Sequence, residues 1–164
     1  MKAMTYTGPD GSVVPRPDEE LLERIIRQER GRYWRVGSGG SGLAVIELKG
    51  KDKRTRQAID GEPALAFFLV EPHGFFFTFF EPGKFVEQLV PFAGGTSRPW
   101  VEHVVCGLEM YVPRACFVPR NTAWEIIQEF TRTKQRSRAV TWVNRSTLDF
   151  PSPEERRLSK ADLA

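Results

Sequence analysis

The sequence predicts an α+β fold: a mostly antiparallel sheet of about five to seven strands, with two main helices and one short helix. Three observations predict it. Residues 64–70 and 75–80 are apolar runs joined by the turn-forming Glu71-Pro72-His73-Gly74. Residues 17–30 and 120–132 carry apolar side chains at helical spacing. The chain also holds 12 Phe, 4 Trp and 3 Tyr, a ring content that favours strands and a bulky core, or a binding face.

Size and composition set the outer bounds. A chain of 164 residues fits one domain, expected over 1–150 with a charged C-terminal tail over 151–164. Hydrophobic residues make up 40% and charged residues 27%, which is the balance of a folded chain rather than a disordered one. The longest apolar run, Phe75–Phe80, is interrupted by Thr78 and falls far short of the roughly 20 residues that cross a bilayer. Residues 1–6 lack the apolar centre of a signal peptide. Two cysteines, Cys106 and Cys116, do not make a disulfide framework. These features together predict a cytoplasmic protein with reduced thiols.

The elements follow in order. Residues 1–16 read as a loose leader with a turn at Gly8-Pro9-Asp10-Gly11. A helix starts near Pro17, where Asp18, Glu19 and Glu20 suit the positive end of the helix dipole. Leu21, Leu22, Ile25 and Ile26 form its apolar stripe, and it should stop near Gly31. Residues 33–36 read as a short strand and 43–48 as a second, forming a hairpin around the glycine-rich Gly37–Gly42. Ala64–Val70 and Phe75–Phe80 are apolar on both faces, as strands in the middle of a sheet covered on both sides must be. Phe75, Phe77 and Phe79 point one way; Phe76 and Phe80 point the other.

Phe85, Val86, Leu89 and Val90 predict the short helix, ending before Pro91. Were it to leave the second sheet face uncovered, an apolar patch suited to a partner would remain. Trp100–Cys106 reads as a strand, and two further strand-like pieces, 110–112 and 116–118, are broken by Pro113. The second helix spans about Arg120–Arg132, with Thr122 and Glu125 spaced as a capping box. Residues 139–143 read as the last strand. Pro153-Glu154-Glu155 could start a surface helix or belong to a frayed tail.

Several motifs could carry chemistry. Gly37-Ser38-Gly39-Gly40-Ser41-Gly42 matches the dinucleotide fingerprint, but that motif must open a helix and a strand follows here. A flexible hairpin loop is the better reading. His103, Cys106 and Cys116 are the candidate soft-metal ligands, yet His103 and Cys106 would face opposite sides of a strand and no Cys-x-x-Cys pair occurs. The same residues with His73 allow a Cys/His nucleophile on arithmetic alone. No catalytic set, metal or cofactor is therefore assigned.

Net charge is +3, with basic stretches over 49–56 and 132–138 that could hold phosphates. A solvated turn and a helix C-terminus explain them as well. Of the four tryptophans, Trp34, Trp124 and Trp142 fit core packing first. Trp100, beside a glycine-rich loop, is the best candidate for an exposed ring. Trp100, Trp34, Arg35 and Arg120 are the expected partner-binding residues.

A spaced pattern runs from Tyr111-Val112-Pro113-Arg114 through Val118-Pro119-Arg120-Asn121-Thr122-Ala123-Trp124 and Glu129-Phe130 to Ser137-Arg138-Ala139-Val140-Thr141-Trp142. It resembles the C-terminal half of the first-described Imm class, immunity proteins of bacterial polymorphic toxin systems. The 33–48 segment is compatible with that class, so the resemblance spans half to two-thirds of the chain. It implies a cytoplasmic α+β antitoxin, not an enzyme, that occludes a cognate toxin domain, often a nucleic-acid deaminase. Two alternatives stay open: a nucleic-acid-binding or regulatory domain using the basic stretches, and a small enzyme with a Cys/His site.

Overall fold

A computed structural model describes residues 3–36, 40–49, 62–81 and 87–162. The architecture is α+β, as predicted. Its strands are β1 (Ala3–Thr7), β2 (Val13–Pro15), β3 (Ala44–Lys49), β4 (Ala64–Val70), β5 (Gly74–Phe80), β6 (Gln88–Pro91), β7 (Trp100–Val105), β8 (Leu108–Pro113), β9 (Phe117–Val118) and β10 (Trp142–Asn144). The helices are α1 (Glu19–Arg27), α2 (Gly31–Trp34), α3 (Arg120–Thr133) and α4 (Pro153–Asp162). Eight strands form one sheet in the order β10-β6-β5-β4-β3-β1-β2, with β9 alongside β5. Strands β7 and β8 form a separate antiparallel ribbon.

The centre of the sheet follows from the two apolar runs. Strands β4 and β5 pair antiparallel from Ala64 opposite Phe80 to Val70 opposite Gly74. Alternation sends Leu65, Phe67, Phe75, Phe77 and Phe79 to one face, where α1 and α3 cover them with Leu22, Ile26, Ile127 and Phe130. It sends Phe68, Val70 and Phe76 to the other. Fully burying one such ring is worth about 1.5–3 kcal/mol. Gly74 sits at φ +109°, and a Cβ there would lie 2.3 Å from the carbonyl oxygen of Val118, so the β5–β9 junction requires glycine.

The second face is not left open. The β7–β8 ribbon lies over it, packing Val101, Val105 and Val112 with Cys116 onto Phe68, Phe76 and Val90. No helix at 85–90 is needed: Gln88–Pro91 is a strand between β5 and β10. Residues 82–86 lie outside the described residues. Leu89 and Val90 face opposite cores, which is strand alternation and not one helical face.

Other expectations need correction. The supposed leader is the β1–β2 hairpin, and β1 pairs with β3 over five residues, Ala3 opposite Lys49 to Thr7 opposite Val45. The strand expected over 33–36 does not form: residues 31–34 are a short helix that turns Trp34 into the core. The 33–48 hairpin shrinks to one bridge, Arg35 opposite Ser41; β3 pairs with β1 and β4 instead. Gly40 and Gly42 are packed tightly, since a Cβ would lie 2.6 Å from the Val104 oxygen and 2.2 Å from the Pro9 oxygen. Helix α3 starts at Arg120 with Pro119 at its N-cap and no side-chain cap, so Thr122 and Glu125 are not a capping box. The last strand is Trp142–Asn144, a little beyond the expected 139–143.

Helix α4 docks on the outer side of the ribbon. The Arg156 guanidinium lies 4.9 Å from the Trp100 ring centroid and 5.3 Å from that of Tyr111. Arg157 reaches Glu109 at 3.7 Å. The layers are therefore α1 and α3, the main sheet, the ribbon, and α4.

Candidate functional site

Helix α1 owes its place to one stripe and its chemistry to the opposite one. Leu22, Ile25 and Ile26 are buried, while Glu19, Glu20, Arg24 and Arg27 face outward. Asp18 caps its N-terminus, accepting from the Leu21 N–H at 2.7 Å. Two adjoining depressions lie along this outward surface and share Leu21 and Arg24. The larger, about 580 Å³, is lined by Asp18, Glu20, Glu23 and Arg27 among others. The smaller, about 210 Å³, lies between α1, α2 and the β1–β2 hairpin.

At the smaller cleft the Tyr6 and Tyr33 hydroxyls meet at 2.5 Å. Tyr6 is buried and Tyr33 half-buried. Burial pushes both phenols up, and the Asp10 and Glu29 carboxylates add to it. Both hydroxyls therefore stay protonated. Asp10 accepts from the Ser12 N–H at 2.9 Å and from its hydroxyl at 2.8 Å, and these bonds hold its carboxyl below the usual range. Among the described residues, the two depressions carry five carboxylates (Asp18, Glu20 and Glu23; Asp10 and Glu29) against two guanidiniums, Arg24 and Arg27. Opposed to the chain's net +3, this surface is acidic.

The residues expected to bind a partner are scattered. Trp34 is 2% exposed and packs on Tyr33, Phe67 and Phe75, so its ring belongs to the core. Arg35 is exposed at the single bridge to Ser41. Arg120 braces the fold: its guanidinium donates to the carbonyls of Ile26 at 2.6 Å and Glu29 at 3.1 Å, and to Glu71 at 3.2 Å. Trp34 and Arg120 both contact Phe75, over which Arg120 lies at 5.6 Å. Trp100 is half-buried on another layer, donating to the Asp149 carbonyl at 3.0 Å, with the Arg98 and Arg156 guanidiniums over its ring.

The thiols and histidines do not assemble. Among the described residues no group of three His, Cys, Asp or Glu could hold a metal. Cys116 is buried and its thiol is pushed up to about 12, whereas Cys106 is exposed in the β7–β8 turn. His73 packs on Phe117. His103 stacks on Phe68 and bonds the Ser41 hydroxyl at 2.7 Å. The Ser41 hydroxyl also donates to the Leu69 carbonyl at 3.2 Å, and its backbone bonds Val104 and Cys106. Ser41 thus ties the glycine-rich segment to the ribbon, a polar link rather than an activated nucleophile.

The basic stretch over 132–138 is largely neutralised in place. Arg132 pairs with Glu19, Arg136 with Glu81 and Arg138 with Glu129, and Lys134 donates to the Thr131 carbonyl. The 49–56 stretch lies outside the described residues except Lys49, where β3 ends.

Sequence reading missed Tyr6, Tyr33, Asp10 and Ser41. The alternation of Met4 and Tyr6 with Thr5 and Thr7 was a usable strand signal. Nothing local could have joined Tyr6 to Tyr33, 27 positions apart. No protein-family model matches the chain, and no curated protein matches it in sequence.

Proposed function

We propose that this protein is an immunity protein that binds a cognate bacterial toxin domain in the cytoplasm and neutralises it by occlusion. The observation that carries the reading is the acidic surface along α1 together with the adjoining cleft. A toxin that acts on nucleic acid needs a basic cleft for a polyphosphate substrate. A surface with five carboxylates to two guanidiniums is complementary to such a cleft and would steer association with it.

The pattern that resembles the Imm class adds support. Its later part, over 118–142, packs on the helix-covered face of the sheet, while 111–113 belong to β8 of the ribbon on the other face. Arg120 ties α3 to α1 and to the β4–β5 turn. Phe130 and Trp142 both pack on Phe79. Glu129 binds the backbone N–H and side chain of Arg138, and the Trp142 indole donates to the Ser137 carbonyl at 2.8 Å.

The test is co-expression with the toxin encoded beside this gene, with complex formation measured in parallel. The expected result is protection from growth arrest and a one-to-one complex whose affinity falls with added salt. Glu20→Lys combined with Glu23→Lys should weaken that complex. A toxin that kills co-expressing cells and forms no complex would overturn the reading.

A further inference from the structure

We infer that the cleft beside the Tyr6–Tyr33 hydroxyl pair is a receptor for a cationic side chain, arginine or lysine, of a partner protein. Its floor and walls are of two kinds. Leu21, Ile25 and Val14 offer an apolar track for an aliphatic stem. Asp10, Glu29 and the two phenol oxygens offer acceptors for a charged head. A volume of about 210 Å³ suits the end of one long side chain and not a folded segment.

Three details fix the sign of the ligand. Each phenol has one proton and the hydroxyl pair uses one of the two, so lone pairs remain on the oxygens for an incoming N–H. Asp10 and Glu29 line the cleft against one guanidinium, Arg24, so carboxylates outnumber cations there. Gly8 keeps the space open: a Cβ at that position would lie 3.3 Å from the Asp10 carboxylate and 3.4 Å from the Tyr33 oxygen. The point where a ligand would meet both acceptors is the point a side chain on residue 8 would fill.

This deepens the reading of the α1 surface as toxin-binding, and it supplies a site for one basic residue of the toxin. The cleft itself is tested without the toxin. Nα-acetyl-arginine amide and Nα-acetyl-lysine amide are titrated into the whole protein, following the Gly8 amide and the Tyr6 and Tyr33 ring signals by NMR. The neutral comparator is Nα-acetyl-norleucine amide.

The expected result is saturable shifts confined to this cleft for the cationic probes and none for the neutral one. Asp10→Asn with Glu29→Gln should weaken binding about fivefold, the range of exposed charge pairs. Gly8→Ala should weaken it by obstruction with both carboxylates intact. Absence of saturable shifts, equal binding of the neutral probe, or undiminished binding in folded double and Gly8 variants would each overturn the inference. Probe binding without protection by co-expression would leave the cleft standing and remove the toxin as its partner.

Discussion

The Arg120 guanidinium donates to the carbonyl of Ile26 at 2.6 Å across 94 residues of sequence. It also takes the Glu29 carbonyl, so one side chain satisfies acceptors at and beyond the C-terminal end of α1. Its third bond, to Glu71, adds the β4–β5 turn. Arg120→Ala should therefore lower stability by about 2 kcal/mol, since charge-assisted bonds are worth more than neutral ones but this side chain is partly solvated. Arg120→Lys should recover little, because an ammonium lacks the planar fork that reaches all three acceptors. Denaturant midpoints with unchanged m-values check both; a loss confined to partner binding would contradict the bracing role.

Trp34 gives a contrast between volume and polarity. Its indole Nε1 is buried and has no hydrogen-bond partner among the described residues. Trp34→Phe removes that unsatisfied donor while leaving a smaller gap, so its net cost should stay below about 1.5 kcal/mol. Trp34→Ala should cost about 3–5 kcal/mol. Calorimetry of the two variants separates the effects, and a Phe variant as unstable as the Ala variant would show that the N–H is bonded after all.

The two thiols should differ sharply in reactivity. Cys106 is exposed, while burial under the β7–β8 ribbon pushes the Cys116 thiol up to about 12. A chromogenic disulfide reagent at neutral pH should modify one thiol quickly in the native protein and the second only on unfolding. Cys106→Ser should abolish the fast phase. Two equal fast phases would mean that the second sheet face opens readily.

Glu129 sets an acid-side dependence of stability. The Arg138 backbone N–H holds its carboxyl below the usual value, with Ser137 and the Arg138 guanidinium adding to the effect. The folded value lies below the unfolded one, so this contribution is present at neutral pH, above the unfolded value. It is lost as pH falls through the folded value. Glu129→Gln should be less stable than the parent at neutral pH, and the gap should close below the ordinary carboxylate range of about 4.3. A gap that does not change with pH would assign the effect to packing.

Legibility in the sequence followed the range of the forces involved. Ala64–Val70 and Phe75–Phe80 announced themselves because each is apolar on both faces, a property visible in a few residues. The two main helices were legible from spacing alone. By contrast, β1 was hidden because a strand flanked by polar residues is stable only when paired, and its partner β3 lies some forty positions away. Residues 33–36 read as a strand because the adjacent rings Tyr33 and Trp34 suit strands locally, whereas a helical turn over 31–34 delivers Trp34 to the core. The 85–90 region was ambiguous for the usual reason: four apolar residues fit either period until a neighbouring strand is present.

The acidic cleft shows the same division. Acidic residues 18–20 at the start of a helix were readable from the sequence. That they share a surface with Asp10, Glu29 and a tyrosine pair was not, because it depends on the hairpin packing beside the helix. The sequence by itself determined the α+β class, the central β4–β5 pairing and the two main helices. Tertiary structure alone decided that a ribbon covers the second sheet face, that Arg120 bonds the Ile26 and Glu29 carbonyls, and that the acids share one surface. The physical reason is that periodicity and turn chemistry act over a few residues, whereas register, layer order and the convergence of charges depend on contacts between segments far apart in the chain.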